Sequence, residues 1–240
     1  MSETLSHTPQ VYVPITGNSA FLVIEQARHI TNVEDLDFLE YRKHIGIPLA
    51  TVILREWLPL QPAGRPVWLD FRGVRAINLS VAEELGPMLM KHIAEQAVLG
   101  HHYPVYRGLQ HDVAHTMHKA FLEMKWATLA YLDEEEIAEG MVGTRLDRIG
   151  NHTIVVLGML TTGQLRILQF INHRYTEKGE KTSSSDLMHL DIMAEGRVTD
   201  SARSKRLTEL YQRRFLCYED NPHKRSERLF APVWRIITDV

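Results

Sequence analysis

The chain has 240 residues, 44% of them hydrophobic and 24% charged, which is the make-up of a folded protein and not of a disordered one. A formal net charge of −3 gives no overall sign of a polyanion-binding protein, and a single cysteine, Cys217, excludes an internal disulfide and suits a reducing compartment. No apolar run of about 18 residues occurs, and the opening MSETLSHTPQ lacks the basic and apolar blocks of a secretory leader, so a cytoplasmic protein without a membrane span is expected.

Residues 11 to 27, VYVPITGNSAFLVIEQA, read as two strands around a turn at Gly17 and Asn18, residues that tolerate the positive φ of tight hairpins. NVEDLDFLEYRKH reads as a helix, and GIPLATVILREWLPL carries a helical apolar stripe that stops before the loop QPAGRP. PVWLDF is a short apolar run suited to a buried central strand, with Asp70 capping the turn that follows. In LSVAEELGPMLMKHIAEQAVLG, Ser80 and Glu83 have the spacing of a capping box. YPVYRGL and ATLAYL then read as strands, QHDVAHTMHKAFLEM as a helix and DEEEIAEG as a helical turn or two. Strands alternating with helices predict an α/β architecture with one sheet over residues 1–142. Segment 143–158 reads as a linker whose apolar strand HTIVVLGML would add to a sheet or pair with a second copy, so a homodimer is expected.

The block WLDFRGVRAINLSVAEEL, followed by YPVYRGL, a helix and LAYLDEEEIAEG, resembles a STAS domain over about residues 45 to 140. The wider family includes bacterial anti-sigma-factor antagonists. The resemblance implies a mixed sheet with helices, a docking role toward a histidine-kinase-type ATPase, and Ser80 as a candidate regulatory phosphosite. The match departs from the family at that place, since the small residues of an Asp-Ser-Ser-Gly-like turn are replaced by Asn78-Leu79-Ser80-Val81. A helix cap alone would also explain Ser80.

From Gly158 onward the pattern changes to a mainly α unit, 159–240. TTGQLRILQFINHRYTEKG is an amphipathic helix opened by a Thr161 to Gln164 capping box, and TSSSDLMHLDIMAEG offers a short helix stopped by Gly196. SARSKRLTELYQRRFL follows as a third helix, then FLCYED and ERLFAPVW as strands around NPHKRS. This order resembles a winged helix-turn-helix, which implies a double-stranded DNA partner. Charge agrees in direction: from Gly150 to Val240 there are 14 Lys and Arg against 11 Asp and Glu, an excess of +3, whereas the preceding residues hold 13 against 19, or −6.

At about 100° per residue, Leu207, Leu210 and Tyr211 share the inner face of the third helix. Ser201, Lys205, Thr208 and Gln212 lie opposite, with Arg206 and Arg213 along one flank and Glu209 as the discordant charge. Hydroxyl and amide groups suit base edges, and basic groups suit phosphates. The expected DNA-binding set is Ser201, Arg203, Ser204, Lys205, Arg206, Thr208, Gln212 and Arg213 on the helix, with Lys224, Arg225 and Arg228 at the hairpin tip. A solvated charged helix, or a module that grips only protein, would show the same residues.

His111, His115 and His118 fall on one outer helical stripe and read as a solvated face rather than a metal site. The acidic run Asp133 to Glu136 reads as solvated, and Cys217 as a small core residue. Phosphate-loop, nucleophile-elbow and Cys-x-x-Cys patterns are missing from the sequence, so no enzyme, catalytic residue or cofactor is expected. An α/β enzyme or nucleotide-binding sensor stands as a third reading beside the DNA regulator and the protein-docking adaptor.

Overall fold

The computed structural model describes residues 20–96, 99, 101–133, 140, 142–189, 200–224 and 227–236. Its sheet has four mutually parallel strands, β1 (Ala20–Leu22), β3 (Pro66–Asp70), β5 (Tyr103–Arg107) and β6 (Ala127–Leu132). A hairpin, β7 (Thr144–Ile149) and β8 (His152–Gly158), completes it, with β8 antiparallel to β6, giving the order β1-β3-β5-β6-β8-β7. Two short strands, β2 (Phe38–Leu39) and β4 (Ala76–Ile77), pair apart from it.

Every residue of β6 is buried because helices cover both sides of the sheet. Ala130 and Leu132 enter one core, and Ala127, Leu129 and Tyr131 enter another. Such a strand reads as a nearly continuous apolar run, broken here by Thr128, instead of an alternating one. The first core is closed by α1 (Val23–Thr31), the helical run 42–60 around α2 (Ile47–Val52), α3 (Leu79–Glu83), α4 (Leu89–Glu95) and α5 (His111–Glu123). The second is closed by α6 (Thr162–Lys178), α7 (Asp200–Gln212), the hairpin β9 (Leu216–Asp220) and β10 (Arg228–Pro232), and α8 (Val233–Ile236).

The molecule is therefore mixed α/β, and no distinct mainly α C-terminal domain stands apart from the sheet. Ile167, Ile171, Leu207, Leu210 and Trp234 share one core with Val105, Leu129 and Val156 of the strands. Polar bonds reinforce the join. Trp234 Nε1 donates to Asp147 (3.0 Å) and Asn172 (3.2 Å), Arg235 pairs with Asp147 at 2.6 Å, and the Tyr131 hydroxyl donates to the Trp234 carbonyl at 3.1 Å. Burial raises the Tyr131 pKa, which keeps that hydroxyl a donor. The apolar strand 152–158 adds to its own sheet, so it gives no ground for a dimer. Its partner β7 carries Thr144, Arg145, Asp147 and Arg148 along the sheet edge, charges that discourage pairing with another chain.

Three local expectations are corrected. The segment after β1 is a helix and not a second strand, because Val23, Ile24 and Ala27 bury together at helical spacing; the turn at Gly17 and Asn18 lies outside the described residues. The stretch 32–44 is mostly not helical: Asn32, at φ 55°, ends α1 in the left-handed conformation, and Phe38–Leu39 pairs with Ala76–Ile77 instead. The cap of α3 is Asn78, whose Oδ1 accepts from the Val81 amide at 3.0 Å, while Ser80 Oγ donates to the same oxygen. The Thr161–Gln164 capping box forms in full. Gly196 and residues 134–139 of DEEEIAEG lie outside the described residues. No helix among the described residues is long and apolar enough to cross a membrane.

His118 leaves the outer histidine stripe to hold the end of β8. Its Nδ1 accepts from the Gly158 amide at 2.9 Å. Gly158 sits at φ +86° with the Trp126 carbonyl only 2.2 Å from where a Cβ would lie, so only glycine brings that amide so close. Burial, with a smaller contribution from His115, lowers the His118 pKa below 6.5.

Two outcomes follow from these contacts. Asn78→Ala is expected to cost about 1 kcal/mol, and Ser80→Ala only a few tenths, in the urea midpoint. His118 is held neutral by the fold, so its contribution is complete above the unfolded value near 6.5 and is lost as the pH falls through the lower folded value. The fall in urea midpoint from about pH 7.5 to about pH 5.5 should be smaller in His118→Asn, which keeps an acceptor and does not titrate.

Candidate nucleic-acid interface

Leu207 and Leu210 are 1% and 0% exposed, and this anchoring sets the rotation of α7. The opposite side leaves Ser201, Ser204, Lys205, Thr208 and Gln212 exposed. Thr208 Oγ1 donates to the Ser204 carbonyl one turn back at 2.9 Å, so its oxygen is left to accept from outside. Glu209, the discordant charge, takes a bond from Gln164 Nε2 at 3.0 Å. Gln164 belongs to the first turn of α6, where a helix dipole favours a carboxylate. The acid is thereby drawn toward the protein and away from the outward face.

The arginines divide. Arg203 donates to the Leu187 carbonyl at 3.4 Å, which ties α7 to the turn Asp186–His189. Arg206 is half-buried. Arg213 lies 5.2 Å above the Trp126 ring, and its burial lowers its pKa. Arg214, at φ 66°, is 4% exposed and donates to the Ile93 carbonyl at 3.1 Å. The two arginines just past the end of α7 therefore fasten it to the sheet-bearing half, Arg203 ties it to the neighbouring turn, and Lys205 is its outward cation.

The hairpin after α7 pairs Leu216–Asp220 with Arg228–Pro232, and Thr182 adds a single bridge to Phe230. Arg228 stacks on Tyr218 at 4.3 Å, and Lys224 reaches Glu227 at 3.7 Å; Arg225 lies outside the described residues. Glu227 also accepts from Ser185 Oγ at 2.6 Å, a bond that holds its pKa low. With Lys181 paired to Glu219, the hairpin balances its bases with acids. Those acids stand in the sequence at 219, 220 and 227, whereas the seat of Arg213 on Trp126, 87 positions away, has no local signal.

Ser80 lies half-buried in the first turn of α3, bonded to Asn78. Cys217 is partly buried in β9, and burial raises its thiol to about 11, far from reactive thiolates. Among the described residues no group of three or more His, Cys, Asp or Glu side chains could hold a metal ion.

Comparison of the chain with protein-family models, with curated proteins and with solved structures finds no match in any of the three.

The two kinds of cation on α7 should separate in stability measurements. Arg213→Ala, which removes the seat on Trp126, is expected to cost about 1 kcal/mol or more, whereas Lys205→Ala should stay within about 0.5 kcal/mol of wild type by urea denaturation.

Proposed function

We propose that this chain is a double-stranded DNA-binding regulator. In this reading α7 enters the major groove, and the sheet-bearing half acts as a STAS-like sensing or docking part. The observation that carries the proposal is the outward face of α7, where Ser201, Ser204, Lys205, Thr208 and Gln212 are exposed together while Leu207 and Leu210 lock the helix from behind. Hydroxyl and amide groups on a rigid helix suit base edges, and a lysine among them suits a phosphate. Element order supports the same reading. Helix α6, the Thr182 bridge, the turn Asp186–His189, α7 and the β9–β10 hairpin follow one another as the parts of a winged helix-turn-helix do.

The charge balance sets the character of the contact. Acids in the hairpin offset its bases, so α7 contributes more than the wing, and binding is modest and salt-sensitive. An adaptor that docks a kinase-type ATPase or a sigma-type factor through protein contacts alone is the alternative.

Fluorescence anisotropy with a labelled mixed-sequence duplex tests this directly. Affinity should fall as salt rises from about 50 to about 200 mM, Lys205→Glu with Gln212→Ala should abolish binding, and Lys224→Ala should lower the salt slope by about one. Absence of duplex binding by the intact chain at low salt refutes the proposal and leaves the adaptor.

A further inference from the structure

The parallel strands β3, β5 and β6 end side by side, and their last residues open a cavity of 330 Å³ on the side of the sheet that carries the C-terminal helices. Open α/β sheets take ligands at the carboxyl ends of their strands, where side chains from several strands converge and the backbone stops pairing. The volume is at the low end of the roughly 300–1,000 Å³ range of small-molecule sites.

The walls have distinct chemistry. Trp68 and Tyr131 stand edge to face at 4.8 Å and, with Ile149 of β7, make an apolar side. Arg72 and Arg107 make a cationic end, and His152 of β8 forms the rim, 2.5 Å from Asp133. Both guanidiniums are held by one carboxylate. Asp70, 1% exposed, takes Nε and Nη2 of Arg72 at 2.6 to 3.0 Å and the same atoms of Arg107 at 2.8 and 2.9 Å. Burial alone would raise the Asp70 pKa, but the bonds from Arg72 and the charge of Arg107 outweigh it and hold the carboxyl below its usual value. The Nη1 groups of both arginines take no part in these bonds, and Arg107 is further fixed by lying 5.0 Å from the Trp68 ring. Gly108 is required for this packing. At φ +65° it would place a Cβ 2.4 Å from Arg72 Cγ, so the arginine folds over a position that has no side chain.

We infer that this cavity binds a small monoanion bearing a flat conjugated ring, an aromatic carboxylate. Two arginines presented on a shared buried acid form a preorganised carboxylate clamp, and the aromatic side receives the ring. The charge count selects the ligand. By formal charge Arg72 and Arg107 are offset by Asp70 and Asp133, so one added negative charge is tolerable where a phosphate dianion would leave the site strongly negative. The site does not depend on whether α7 binds DNA.

Isothermal titration of the full chain with benzoate, salicylate and indole-3-acetate, and separately with inorganic phosphate and AMP, tests the inference. At least one carboxylate should bind saturably at one site per chain, and its Kd should rise tenfold or more in Arg72→Gln and in Trp68→Leu. Arg72→Gln removes a side chain that is 67% exposed and leaves Asp70 paired with Arg107, so the fold should persist, as circular dichroism would verify. Arg28→Gln, a control on α1, should bind as wild type does. No saturable carboxylate binding up to about 10 mM, or binding unchanged in both variants, overturns the inference. Tighter binding of phosphate or AMP than of every carboxylate overturns the assigned ligand class.

Discussion

A sheet whose central strand is buried on both sides must be covered twice, and that requirement organises this molecule. Face-to-face burial of Leu, Ile and Val contributes about 1.5–3 kcal/mol per side chain. The strands offer such residues to both sides: Ala130, Leu132, Val155 and Leu157 to one, Val105, Leu129, Ile154 and Val156 to the other. Helices from the first two-thirds of the chain satisfy the first face. Among the described residues α6, α7, the hairpin β9–β10 and α8 cover the second, and the orientation of α7 follows from that duty. Its polar side points outward because its leucines are needed inward.

The same arrangement explains how the basic residues are shared out. Arginine can lay a flat cation on an aromatic ring while its stem packs, and Arg213 on Trp126 and Arg228 on Tyr218 do so. Residues that look alike along the helix thus have different employment: Arg203 ties α7 to the neighbouring turn, Arg213 seats it on Trp126, and Lys205 and Gln212 remain on the surface. At the carboxyl ends of the strands Asp70 performs a parallel service for Arg72 and Arg107, fixing both at the mouth of a cavity.

What could be read from the sequence was what short-range chemistry decides. ATLAYL, YPVYR and the helix at 111–123 declare themselves by apolar runs and helical spacing, and Thr161 with Gln164 declares a helix start. The inner and outer faces of α7 were legible for the same reason. Where a distant partner decides, the sequence was silent. Phe38–Leu39 leaves its helical pattern to pair with Ala76–Ile77, and His118 turns in to meet Gly158. Asp70 reads correctly as a turn cap, since it accepts from the Arg72 amide, but Arg107, 37 positions on, is invisible to that reading. The layering of the C-terminal elements on the sheet is of the same kind, being settled by two apolar surfaces that meet only after the chain has folded.

Because one face of the sheet is covered by residues beyond 160, the order of synthesis matters. While the ribosome is still adding those residues, Tyr103, Val105, Leu129, Ile154 and Val156 have no lid. A broad apolar sheet face left open is a surface for unwanted association. Until Leu207, Leu210 and Trp234 arrive, that face has no cover of its own.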